Sequence, residues 1–162
     1  MIEIRSLTKA DNVDDLIFLS REFFEEYEVY HKDFFKIDNL TEEQIVDYFT
    51  SFRDSEFREV FIALDNEHIV AYMTVYVKHQ ADYWQIKRIG DISGLMVQKE
   101  YRHRGIAKKL LGKAKDFFAR QEVKYFTVFT AIENQGAINF YRDNCLIPLS
   151  TTLLGEIRDS SV

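Results

Sequence analysis

The sequence predicts one α+β domain, helices covering a mixed sheet, with elements in the order β-α-α-β-β-β-α-β-α-β. Two observations lead to this. The apolar residues switch repeatedly between a period of two and helical spacing along the chain. A length of 162 residues, with no internal repeat, low-complexity stretch or linker, suits one core and not two of ordinary size. Residues 1–157 are therefore read as a single domain and 158–162 as a frayed tail.

Taken in order, Ile2 to Leu7 alternates apolar and polar residues like a strand. Thr8 to Asp11 reads as a capping box, with Asp11 in the Glu/Gln position. Val13, Leu16, Ile17, Ser20, Phe23, Phe24 and Tyr27 then follow at helical spacing, opposite Glu22, Glu25 and Glu28. A loop through His31 to Asn39 leads to a second cap, Thr41 with Gln44, before a helix whose buried face is Ile45, Tyr48, Phe49 and Phe52. Val60–Leu64 and Ile69–Val77 are β-rich runs joined by a hairpin at Asp65-Asn66-Glu67. Ile86–Val97 is a further strand, interrupted at Ser93-Gly94, where a glycine signals a bulge or a close backbone approach. Ala107, Leu110, Leu111, Ala114, Phe117 and Phe118 form the stripe of the next helix. Tyr125–Ile132 is a strand, Asn134–Asn144 a short helix, and Leu146–Ile157 a last strand in which Pro148 is tolerable near the start.

Composition narrows the function. Twenty-one basic against 27 acidic residues give a net charge of −6, which opposes general affinity for nucleic acid or anionic membrane. No apolar run is long enough to span a bilayer, and the charged start MIEIRSLTKAD does not resemble a signal peptide. Cys145 is the single cysteine, so no internal disulfide forms; it is expected to be a buried small hydrophobe. A reducing, cytoplasmic location follows. His31, His68, His79 and His103 show no metal-ligand spacing, so no metal is expected.

Against that acidic background, Lys99, Arg102, His103, Arg104, Lys108 and Lys109 cluster around a helix start. Cations are unfavourable at that end of a helix, where the N–H groups are unpaired and carry partial positive charge. An anion site explains the cluster: small residues at Gly105 and Ala107 admit a diphosphate, and the arginines and histidine add charge-assisted bonds. A plain surface turn is the competing reading. Neither a P-loop nor a G-x-G-x-x-G dinucleotide fingerprint is present.

Arg102-His103-Arg104-Gly105-Ile106-Ala107, after the strand ending Leu95-Met96-Val97, resembles the Arg/Gln-x-x-Gly-x-Gly/Ala signature of the GNAT superfamily of N-acetyltransferases. Asn134, Ala137, Phe140 and Tyr141 match a second family feature after the next strand. The resemblance extends through nearly the whole element order. It implies a three-layer α/β/α fold whose sheet is mixed, mostly antiparallel, with splayed central strands. It also implies acetyl-CoA as co-substrate, with the backbone of residues 102–107 (Arg102, His103, Arg104, Gly105, Ile106, Ala107) on the pyrophosphate. Leu95, Met96 and Val97 would pair with the pantetheine like an added strand, Asn134 would touch it, and Tyr141 would stand near the sulfur as general acid.

The acceptor amine must lose a proton before attack. Asp91 is the first candidate to assist and Glu133 the second, although neither stands in a motif position and both also read as surface or turn residues. The acids and aromatics of Arg21–Asn39 would suit a cationic, partly apolar small-molecule or peptide amine. Their helical part also reads as a core stripe with a solvated face.

Two departures stand out. Family members often continue Phe-Tyr toward Gly-Phe, whereas here Arg-Asp-Asn-Cys-Leu follows, so Asn144 is expected to take the left-handed cap. Only one strand is expected after that helix, where many relatives have two. Its open edge predicts a homodimer through the C-terminal strand. The competing functions are a non-catalytic acyl-CoA-binding regulatory module and a structural interaction domain.

Overall fold

Two strands apolar on both faces make the middle of the sheet. In the computed structural model, which describes residues 1–157, β2 (Arg58–Asp65) and β3 (His68–His79) form an antiparallel hairpin. Asn66, in its turn, sits at φ 57°, a left-handed conformation that asparagine tolerates better than most residues. The tail expected to fray, 158–162, lies outside the described residues.

The remaining elements are β1 (Ile2–Ser6), α1 (Asp14–Glu28), α2 (Glu42–Arg53), β4 (Arg88–Val97), α3 (Ile106–Arg120), β5 (Phe126–Val128) and α4 (Gln135–Asp143). The sheet order is β1-β2-β3-β4-β5, with every pair antiparallel except β4 with β5. Side chains alternate between two cores along the strands. Phe61, Ala63, Met73, Val75 and Ile92 meet Leu110, Leu111, Ala114 and Phe118 of α3, while Val60, Ile62, Leu64, Tyr72 and Met96 meet Leu16 and Leu19 of α1 and Ile45 and Phe49 of α2. The fold is thus the three-layer GNAT-like arrangement, with a mixed, mostly antiparallel sheet.

The Thr41–Gln44 capping box forms in full: Thr41 Oγ1 accepts from the Gln44 amide at 3.2 Å, and Gln44 Oε1 from the Thr41 amide at 2.9 Å. The Thr8–Asp11 box does not start a helix. Asp11 accepts from the Thr8 amide at 2.7 Å, but its carboxylate also takes the Arg5 guanidinium at 2.6 and 2.8 Å, and α1 begins only at Asp14. Arg5 pulls the acid back toward β1, so the motif closes a turn between strand and helix.

That contact makes part of the stability pH-dependent. The hydrogen bonds from Arg5, followed by those from Thr8, hold the Asp11 carboxyl well below the usual carboxylate range against the opposing effect of burial. A folded-state pKa below the unfolded value near 3.9 contributes stability above that pH, which fades as the pH falls below about 4. Asp11→Ala is expected to lower unfolding free energy by about 2–3 kcal/mol at pH 7. In urea titrations the deficit should shrink at pH 2; an equal deficit at both pH values would contradict the assignment.

Three expectations for the C-terminal region are corrected. Residues 146–157 form no strand, so the homodimer predicted through a C-terminal strand loses the element it rested on. A period-two pattern becomes a strand only when a neighbour satisfies its backbone, and β5 already holds that edge of the sheet. The left-handed residue after α4 is Cys145 at φ 70°, not Asn144. Asn144 instead donates its side-chain amide to Phe140 O at 2.8 Å, while Cys145 N bonds Arg142 O and Leu146 N bonds Tyr141 O, a Schellman closure. Cys145 is therefore exposed, because the position after the cap faces solvent.

Candidate active site

The site begins where the sheet forks. β5 pairs with β4 at three positions only, Gly90 with Phe126, Asp91 with Thr127 and Ile92 with Val128. Phe118 of α3 clasps this closed end, its ring stacked on Phe126 at 5.3 Å and lying against Gly90, where a Cβ would come within 2.5 Å of it. A side chain at residue 90 would push the ring away, so the glycine serves a close approach. From Ser93 onward β4 stays paired with β3 on one side and has no strand on the other.

The fork opens at a bulge. Ile92 faces Val75 and Gly94 faces Thr74, so Ser93 is the extra residue. Its hydroxyl lies 2.8 Å from Thr74 Oγ1 and 3.1 Å from Tyr48 Oη, and Tyr48 also donates to Thr74 at 3.3 Å. Ser93-Gly94 was legible as an interruption. The hydroxyl cluster was not, although Thr74, a fully buried polar residue inside an apolar run, was the available signal.

Beyond β4, a short 3-10 turn at Lys99–Tyr101 leads into the basic loop. His103 and Gly105 have φ of 61° and 77°, and Gly105 is the residue preceding α3. Left-handed residues in such a loop fold successive N–H groups toward one concavity. Among the described residues, none of the amides of 103–108 donates to a backbone or side-chain acceptor, whereas Lys109 N bonds Gly105 O. This is the free set of donors that a helix start presents. A Cβ at Gly105 would meet nothing within 4 Å, so backbone conformation and open space, not packing, call for glycine there.

The basic side chains divide. Arg102 turns inward, its Nε donating to Val97 O at 2.8 Å and its Nη2 to Glu26 Oε1 at 2.6 Å, which ties the end of β4 to α1. Val97 O is therefore already engaged. Arg104 lies over the Tyr101 ring at 5.1 Å, and His103 is exposed. Leu95 is half-buried on the unpaired stretch, with Met96 and Val97 buried beside it; Ile106 is buried and Ala107 half-buried at the start of α3.

The other prong of the fork carries Asn134 and Tyr141. Asn134 caps α4, its Oδ1 accepting from the Ala137 amide at 3.1 Å, which leaves its Nδ2 as a donor. Tyr141 is the buried residue of α4 and packs into the α3-side core. Burial pushes its phenol above the ordinary value, and the neighbouring Tyr27 of α1 adds to the shift. Tyr30, one turn on, is also raised by burial, with Glu26 and Glu133 contributing.

The two candidate bases occupy different places. Asp91 lies at the closed end of the fork, where Lys78 Nζ donates to it at 2.5 Å and Thr127 Oγ1 at 2.7 Å. Burial raises the phenol of the adjacent Tyr76, and the Asp91 charge raises it further. Glu133 is exposed in the turn before α4. Among the described residues no three His, Cys, Asp or Glu side chains group as metal ligands, and no helix is long and apolar enough to cross a membrane.

The forked sheet and the unpaired amides past the end of β4 are the arrangement that the resemblance implies. The chain belongs to the GNAT acetyltransferase family, whose sequence model matches residues 19–145. No curated protein matches the chain. Among solved structures it is similar to AAC(6')-Iy in complex with a bisubstrate analog, CoA-S-monomethyl-acetylneamine, at 12% identity and TM-score 0.77, covering 98% of this chain and 99% of that one. It is also similar to the aminoglycoside acetyltransferase meta-AAC0020 from an uncultured soil metagenomic sample, at 23% identity and TM-score 0.70, covering 97% of each. A transcriptional regulator from Bacillus halodurans C-125 matches at 18% identity and TM-score 0.76, covering 97% of this chain and all of that one (100%). At these identities the likeness establishes the fold.

Proposed function

We propose that the protein is a cytoplasmic N-acetyltransferase that moves an acetyl group from acetyl-CoA to a primary amine by direct attack on the thioester. The observation that carries this reading is the set of unpaired amides at 103–108 lying just past an unpaired stretch of β4. The amides suit a diphosphate. Leu95 and Met96 offer the open edge on which a pantetheine arm would lie as a strand, and Asn134 Nδ2 faces the role of a donor from the opposite prong.

In the reaction the neutral amine attacks the carbonyl carbon, the carbon–sulfur bond breaks and the thiolate takes a proton from Tyr141 Oη. The proton that the acylated nitrogen loses passes to solvent, and a solvent proton restores the phenol. Burial keeps the phenol protonated at neutral pH, so the proton is in place for the step, although it also makes Tyr141 a weaker donor than a free phenol. A lysine-like amine must first shed a proton, at a cost of about 4.6 kcal/mol at pH 7 for a pKa of about 10.4. Asp91 could receive it once Lys78 gives way, and Glu133 could do so from the mouth of the fork. The acceptor class is a small-molecule or peptide amine; the aminoglycoside enzymes among the structural relatives support a small-molecule amine.

A second reading, an acyl-CoA-binding regulatory module without turnover, draws support from the likeness to a structure described as a transcriptional regulator. A thiol-release assay with acetyl-CoA and a panel of amines separates the two. Release that depends on an amine is expected; CoA binding with no release across the panel would favour the regulatory module.

A further inference from the structure

Charge is sorted between the two helical layers. On one face of the sheet, α1 and α2 carry nine acidic side chains against Arg21 and Arg53. On the other, α3 carries Lys108, Lys109, Lys113, Lys115 and Arg120 against Asp116 alone. With Lys99, Glu100, Arg102 and Arg104 before the helix, residues 99–120 hold a charge of +6 in a chain whose total is −6.

An ordinary solvated helix face mixes both signs, so that side chains three and four residues apart attract. The outer face of α3 does not. Lys108, Lys109, Lys113 and Lys115 are all exposed, and Lys109 and Lys113 are like charges four residues apart, which opposes the helix. Among the described residues none of the four is ion-paired, whereas Lys9, Lys32 and Lys78 are. The helix dipole does not call for them either, since it favours cations in the last turn, where Arg120 stands. The row starts beside the unpaired amides of 103–108 and runs away from them. At 1.5 Å per residue, Lys113 and Lys115 stand about 12 and 15 Å along the axis from Gly105.

We propose that this face is an electrostatic guide for the coenzyme, in which Lys113 and Lys115 attract its phosphates from solution and set how fast they reach the amides of 103–108. The inference rests on the reading of those amides as the diphosphate site. A field of one sign beside a cleft raises the association rate of an oppositely charged ligand by about 10- to 1000-fold. Here the field also has a direction. The acidic helices repel a polyanion from the far face of the sheet, so its phosphates are drawn to the α3 side and the uncharged pantetheine arm is left to enter the fork. Such attraction reaches about 30 Å at 0.01 M ionic strength and about 3 Å at 1 M. Lysines at this remove from the amides therefore act at low salt and fall silent at high salt, which a charge in direct contact with the phosphates would not.

The test is stopped-flow measurement of CoA association and dissociation by the full chain and by a Lys113→Glu/Lys115→Glu double variant, whose side chains lie outside the core. At about 0.01 M ionic strength the variant is expected to associate at least tenfold more slowly, with dissociation within about twofold of the wild type. The difference should vanish at about 1 M. A Lys113→Gln/Lys115→Gln variant, which removes the charges without reversing them, should lose about threefold. Association unchanged in both variants, a difference that persists at high salt, or a loss that shows as faster dissociation would each overturn the guide; the last would mark a direct contact instead. The wild-type rate decides without any variant, since association that does not slow as salt is added contradicts the proposal. Wild-type protein that binds no CoA at any salt would overturn the diphosphate reading as well, so the two failures are distinguishable.

Discussion

Replacing Gly105 by glutamate is expected to reduce acetyl-CoA affinity at least 100-fold, about 2.7 kcal/mol or more, in a chain that still folds. The fold tolerates the change because a Cβ at this position meets nothing within 4 Å. The residue must nevertheless hold φ 77°, which for a side-chain-bearing residue costs about 1–2 kcal/mol. The larger effect falls on the ligand. A carboxylate at the residue preceding α3 would compete with the diphosphate for the same unpaired amides and repel it. Gly112→Glu is the matching control, since Gly112 is exposed on the same helix and also has open space around it. Calorimetry with CoA should show binding retained in the control and lost at residue 105. Undiminished binding by a folded Gly105→Glu protein would place the coenzyme elsewhere.

The second large effect is expected at Tyr141. Tyr141→Phe should lower kcat about 100-fold, the lower range of general acid catalysis, while leaving acetyl-CoA affinity within about twofold. The ring would keep its place in the core, and the hydroxyl has no protein partner among the described residues to lose. Burial also fixes the sign of the pH dependence. A phenol raised above its ordinary value of about 10 stays in its acid form through that pH, so the rate should rise with acceptor deprotonation and show no alkaline fall below about pH 10. An unchanged kcat in the variant would remove the phenol from the chemistry. A falling limb near pH 8 that vanishes in Tyr141→Phe would show the environment to be the opposite of the one described.

The sheet and its helices were legible in the sequence wherever local chemistry and burial agreed. Thr41 and Gln44 cap a helix because both partners lie within one turn, and Ser93-Gly94 interrupts a strand because a bulge needs it. The misreadings arose where a partner outside the motif decided the outcome. Asp11 looked like a helix cap, but Arg5 claims its carboxylate from the strand before. Leu146–Ile157 has a strand's residues but no strand beside it. The left-handed position after α4 fell one residue later than expected because Asn144 spends its amide on Phe140 O. In the site, motif spacing singled out Gly105, Asn134 and Tyr141 as candidates. It could not reveal that Lys78 sits on Asp91, that Arg102 reaches Glu26, or that Tyr48, Thr74 and Ser93 converge, since these contacts join residues far apart in the chain.

The short grip between β4 and β5 has a thermodynamic corollary. The prong bearing Asn134 and Tyr141 meets β4 through three residue pairs only, and beyond Ile92 no strand fills the gap between them. Any molecule that bridges this gap supplies the missing adhesion between the prongs. Its occupancy and the resistance of that flank to melting are then a single equilibrium viewed from two sides.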